Sequence, residues 1–141
     1  MTFDPNTWLG SISGQIVAGI LTTALLFVCG ISAWPLRWWR NNRKLQKLLL
    51  SDRKFTFVFN PDAGKNKIVT FLPVGKIGEG SNENEYSWRI KHGQLEIFAS
   101  DGSLYSRFKL DGKTGRLCHT NDTDTKSILG QYFVPQVNKS K

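Results

Sequence analysis

Asn84-Glu85-Tyr86-Ser87-Trp88-Arg89-Ile90-Lys91-His92-Gly93-Gln94-Leu95-Glu96-Ile97-Phe98 decides the fold of the C-terminal part of this 141-residue chain. Trp88 and Ile90 alternate with Ser87, Arg89 and Lys91, the period of two that puts one set of side chains on a buried sheet face. Lys91-His92-Gly93 then supplies turn residues, so Tyr86–Lys91 and Gln94–Ala99 are predicted to form an antiparallel hairpin.

The same grammar extends in both directions. Strands are expected at Phe55–Asn60, Lys67–Leu72, Val74–Gly78, Leu104–Leu110, Gly115–His119 and Ile128–Val134, with turns at Asn60-Pro61-Asp62-Ala63-Gly64, Ser100-Asp101-Gly102 and Asp111-Gly112-Lys113. Eight short consecutive strands predict a small antiparallel barrel over 54–137, lipocalin-like, because closure removes exposed sheet edges. Phe55, Phe57 and Phe59 are its expected core aromatics.

Upstream of Lys54 the composition changes. No charged residue lies between Pro5 and Leu36, and Ile12 to Trp34 is long enough to cross a hydrocarbon core. A single transmembrane helix is therefore expected over 1–36. Only Asp4 precedes the apolar run, unlike a cleaved signal peptide with its positive start. Arg37, Arg40, Arg43, Lys44 and Lys47 follow it, which places the N-terminus outside and the C-terminal domain in the cytoplasm. Trp8 on one side and Trp34, Trp38 and Trp39 on the other suit the two interfaces of a bilayer. Gly10, Gly14, Ala18 and Thr22 form a stripe of small residues suited to helix association. Residues 37–53 read as a basic amphipathic juxtamembrane linker, and 138–141 as a tail.

The formal net charge is +8, but it is concentrated. Between residues 37 and 54, seven Lys or Arg stand against Asp52 alone, whereas Phe55 to Lys141 holds twelve against nine Asp or Glu. A face that tracks a long phosphate backbone spreads its cations widely, so long nucleic acid is not an expected partner. Cys29 and Cys118 offer no disulfide framework.

Catalytic chemistry is not indicated. His92 and His119 have no carboxylate or cysteine at ligand spacing, and Cys118-His119 stands by itself. Asn121-Asp122-Thr123-Asp124 lacks the glycine and closing glutamate of a calcium loop. No catalytic residue, metal site or cofactor is predicted. The candidate ligand-binding residues are Tyr86, Trp88, Arg89, Tyr105, Arg107 and Lys109, which offer cations for phosphate and aromatic faces for a base. Arg89 and Arg107 have an alternative use, in cross-strand ion pairs with Glu96 or Glu85.

The string Asn84 to Ile90, then Gly93-Gln94-Leu95-Glu96-Ile97, then Ser106-Arg107-Phe108 resembles the small β-barrel domains attached to transmembrane helices in bacterial anti-phage effectors of CBASS-type and Panoptes-type signalling. The resemblance implies a cytoplasmic barrel that senses a cyclic di- or oligonucleotide, and a membrane segment that assembles to impair the inner membrane. Such effectors often carry two or more transmembrane helices. One helix here makes homo-oligomerisation necessary. Two other readings stay open: a membrane-tethered lipocalin-like barrel with an apolar or lipid ligand, and a structural assembly protein with a filled interior.

Overall fold

The computed structural model describes residues 35–137. The anchor expected over 1–36, except Pro35 and Leu36, lies outside the described residues, as do the small-residue stripe and the 138–141 tail.

Helix α1 covers residues 35–49. Seven strands follow: β1 Phe55–Asn60, β2 Lys65–Val69, β3 Ser87–Lys91, β4 Gln94–Phe98, β5 Leu104–Leu110, β6 Leu117–His119 and β7 Tyr132–Pro135. They form one antiparallel sheet in the order β2-β1-β7-β6-β5-β4-β3, curled into a half-barrel.

Two parts of the expected fold are corrected. Among the described residues no helix is long and apolar enough to cross a membrane; α1 carries Arg37, Arg40, Arg43, Lys44 and Lys47. Nor do the strands make a closed eight-stranded barrel. The segment expected as strand Val74–Gly78 contributes only two isolated bridges, Phe71 to Ile77 and Lys76 to Ser87, which leaves β2 and β3 as the sheet edges. The cause is local. Pro73 has no N–H to give a ladder, and Gly75, at φ +75°, turns the chain so that its N–H donates to the Leu72 carbonyl at 3.1 Å.

The core lies inside the curl. Phe55, Phe57, Leu95, Ile97, Phe108, Leu117 and Phe133 are fully buried, joined by Val69, Phe71, Ile77 and Trp88. The register explains this selection, because Phe57 pairs with Phe133, Leu95 with Phe108, and Trp88 with Ile97, so inward side chains line up across strands. Phe59 packs against this cluster from its margin.

Leu45 and Leu49, one helical turn apart on α1, are buried in the same core, while Arg40, Lys44 and Lys47 are exposed. The two-residue turn between β3 and β4 rests on α1. His92 and Gly93 both have positive φ, +51° and +77°, as the tight hairpin turn that matches strand twist demands. The Gly93 N–H donates to Asn42 Oδ1 at 2.7 Å, and the His92 ring lies 4.7 Å from that of Trp38.

Candidate functional site

Residues that alternate with the core project from the outer face of the sheet, where Arg89 pairs across with Glu96 and Glu96 with Arg107. Glu96 accepts from Arg89 Nε at 2.6 Å and from Arg107 Nε at 3.2 Å. Arg107 also donates to Asp122 at 2.6 Å and to both Asp124 oxygens at 3.1 and 3.0 Å. Its guanidinium is thus committed to three carboxylates, which hold its pKa above the ordinary arginine value; Asp122 contributes most, then Asp124. Arg89 differs. Its side chain is 55% exposed, its Nη groups meet no carboxylate among the described residues, and its Cζ lies 4.6 Å from the Phe98 ring centroid.

The Tyr86 N–H donates to the Phe98 carbonyl at 3.0 Å, and Lys76 Nζ lies 3.9 Å from the Tyr86 ring centroid. Tyr86 and Phe98 are thus two aromatic rings, each covered by a cation, on segments joined by that main-chain hydrogen bond. The other candidates lie elsewhere. Trp88 is in the core, with its indole N–H donating to the carbonyls of Leu72 and Lys76 at 3.2 and 3.0 Å. Tyr105 is held near Gln131, and its pKa is raised, first by burial and then by the Glu85 carboxylate. Lys109 lines a cavity against α1. The six sequence candidates thus divide among four places. Lys76 and Phe98 were missed, although the hairpin register that pairs Ser87 with Phe98 carries the signal for the latter.

The sheet also has a buried polar end. Glu85, with its side chain 5% exposed, pairs with Lys67 Nζ at 2.9 Å, and the same ammonium donates to the Gly80 carbonyl at 2.7 Å. Fully buried Ser106 Oγ and Gln131 Oε1 have no hydrogen-bond partner among the described residues.

His119, Asn121 and Ser127 adjoin one another. Asn121 Oδ1 accepts from the Gly130 N–H at 3.0 Å and lies 2.8 Å from His119 Nδ1, while His119 Nε2 lies 2.9 Å from Ser127 Oγ. An oxygen already accepting from Gly130 requires the proton on Nδ1 and leaves Nε2 to accept from Ser127. With that tautomer the 3.0 Å contact from the Asn121 N–H to Nδ1 is no second hydrogen bond. Serine, histidine and asparagine stand here in nucleophile–base–orienter order. The main-chain donors beside Ser127 are spent, however, since the N–H groups of Lys126 and Ser127 both donate to the Tyr105 carbonyl at 3.0 Å. The arrangement fastens the 120–130 loop to β5 and β6. Among the described residues no group of three or more His, Cys, Asp or Glu is placed to hold a metal ion.

The ion-pair cluster gives the domain an acid limit. The Thr120 hydroxyl, then Arg107, hold the Asp122 carboxyl below the usual carboxylate range. A lowered native pKa stabilises the fold fully above the unfolded value of about 3.9, and that contribution is lost as pH falls through the native value. Asp122→Asn is expected to cost about 1 kcal/mol or less at neutral pH, given its exposure. It should also flatten the loss of stability below about pH 4, read from urea melts between neutral and acid pH. An acid limb as steep as that of the parent would remove Asp122 from this role.

No protein-family model matches the chain, and no curated protein or solved structure matches it.

Proposed function

We propose that the domain is a membrane-associated binding module that takes a cyclic di- or oligonucleotide on its outer face. Tyr86 and Phe98 offer faces for bases, and Lys76 and Arg89 offer charge for phosphates. The observation that carries this reading is the two cation–aromatic pairs, Lys76 over Tyr86 and Arg89 over Phe98, with the cations 3.9 and 4.6 Å from the ring centroids. Base stacking on aromatic and guanidinium faces tolerates any base and is worth ~1–3 kcal/mol each. Arg107, already committed to Glu96, Asp122 and Asp124, stiffens the strands beneath the Arg89–Phe98 pair. The resemblance of Asn84 to Phe108 to anti-phage effector domains supports the same ligand class. It adds the wider role of an effector that assembles at the bacterial inner membrane and impairs it. The uncharged stretch Pro5–Leu36, followed by the cations from Arg37 to Lys47, supports a lipid bilayer as partner and the C-terminal domain on the cytoplasmic side.

Calorimetry of the full chain in non-ionic detergent against cyclic di- and trinucleotides tests the reading. Binding to at least one is expected, weakened about tenfold by Tyr86→Ala and by Arg89→Ala, the loss of one stacked or phosphate contact. Heat from none of them overturns it.

A packed interior favours a second reading, an assembly protein without a ligand. Phe55, Phe57, Leu95, Ile97, Phe108 and Phe133 fill the concave side at 0% exposure, the arrangement of a sheet stuffed with its own side chains. Oligomers in sedimentation whose size no cyclic nucleotide alters would support it.

A further inference from the structure

A cavity of about 140 Å³ lies where α1 meets the turns of the sheet, lined by Asn41, Lys44, Leu45, Gly93, Lys109, Leu110 and Gly112. Leu45 and Leu110 give it an apolar floor. Lys44, Lys109 and Asn41 are its polar lining residues, and Gly93 and Gly112 bring two turns to its edge. Neither Lys44 nor Lys109 makes an ion pair among the described residues, and no carboxylate lines the cavity. Asp111, the nearest acid in sequence, is turned to its own loop. Its oxygens accept from the Lys113 N–H at 3.0 Å and the Thr114 hydroxyl at 2.6 Å.

The packing of α1 on the hairpin turn builds this arrangement. A Cβ on Gly93 would lie 3.1 Å from Asn41 Cβ and crowd the helix, and the φ of +77° favours glycine here as well. Asn42 fixes the contact through its bond from the Gly93 N–H. Two cationic side chains from separate elements thereby line one small cavity that no carboxylate lines, a charge balance that favours an anion. The volume lies well below the ~300–1,000 Å³ of pockets that enclose whole small molecules, so it suits one phosphoryl group and not a base with its sugar.

We infer that this cavity is an anion site for a phosphate group, held by Lys44, Lys109 and Asn41, separate from the two cation–aromatic pairs. Phosphate chemistry reaches it from two sources, a free phosphate or the headgroup of an anionic lipid, and α1 directly follows the uncharged stretch of the chain.

The test uses the full chain in nanodiscs of phosphatidylcholine, alone or mixed with phosphatidylglycerol, with the amide resonances of Gly93 and Gly112 as reporters. Inorganic phosphate at millimolar concentration, added to phosphatidylcholine discs, shifts both amides if the source is free phosphate. Phosphatidylglycerol shifts them without added phosphate if the source is the lipid. In either case Lys44→Gln and Lys109→Gln each weaken the response about tenfold, the effect of one charge-assisted hydrogen bond. Lys113→Gln, on the same loop but outside the lining, leaves it unchanged. Both lysines are exposed, so the variants keep the fold, which their unchanged melting temperature verifies. Silence from both amides with both sources overturns the inference, as does a response that survives the double variant.

Discussion

Phe133→Ala is expected to remove a large share of the stability of the domain. Phe133 is fully buried, stacks on Phe57 with ring centroids 4.1 Å apart, and meets Phe108 at 4.8 Å and Phe71 at 5.6 Å. It is the ring on which β1, β5 and the segment after β2 converge. A Phe→Ala change in such a place costs ~3–5 kcal/mol, the transfer of the ring plus the cavity left behind. A domain of this size has only ~5–15 kcal/mol to lose, and each kcal/mol lowers the melting temperature by ~4–8 °C. Phe133→Leu keeps much of the volume and should cost about 1–2 kcal/mol. Thermal melts of the two variants side by side test the packing; a loss below about 1 kcal/mol for the alanine variant would mean that these rings do not form the core described.

The convergence on Phe133 shows what a sequence can and cannot reveal. Period-two alternation in Phe55 to Phe59 and in Trp88 to Ile90 marks which side chains turn inward, and the hairpin through His92 and Gly93 sets the register of β3 on β4. Which inward side chains meet depends on pairing between strands far apart in the chain, such as β1 with β7, and no local pattern encodes it. The missing eighth strand is a different case. Leu72-Pro73-Val74-Gly75 has proline and glycine where a four-residue turn wants them, but apolar Leu72 and Val74 imitate a strand. On α1 the Leu45 and Leu49 pair is legible as an apolar face, while its partner, the sheet core, is not.

The site is legible to a similar depth. Arg89, Glu96 and Arg107 face one another through the register of consecutive strands, so their ion pairs are among the readings that the hairpin allows. Asp122 and Asp124 reach Arg107 only because the loop after β6 folds back over the outer face, and Lys76 reaches Tyr86 only through the turn at Gly75. Ser127, eight residues beyond His119, is brought to it by that same folded loop. Loop conformations of this kind depend on side-chain hydrogen bonds that the sequence offers in many combinations.

Lys67→Met is the second change with a large expected effect, because it strands a carboxylate. The Glu85 side chain is 5% exposed, and its one ion-pair partner among the described residues is Lys67 at 2.9 Å. Removing one partner of a buried pair costs ~3–5 kcal/mol, mostly as the penalty of the charge left behind, whereas replacing both by apolar groups can be nearly neutral. The double variant Lys67→Met with Glu85→Leu should therefore recover most of the loss. Urea melts on the single and double variants measure the effect; equal losses in the two variants would refute the assignment. The same ammonium bonds the Gly80 carbonyl at 2.7 Å and so fastens the loop that leads into Tyr86. Lys67→Met should accordingly loosen the segment that carries Tyr86 and weaken the proposed nucleotide binding from a position outside the two cation–aromatic pairs.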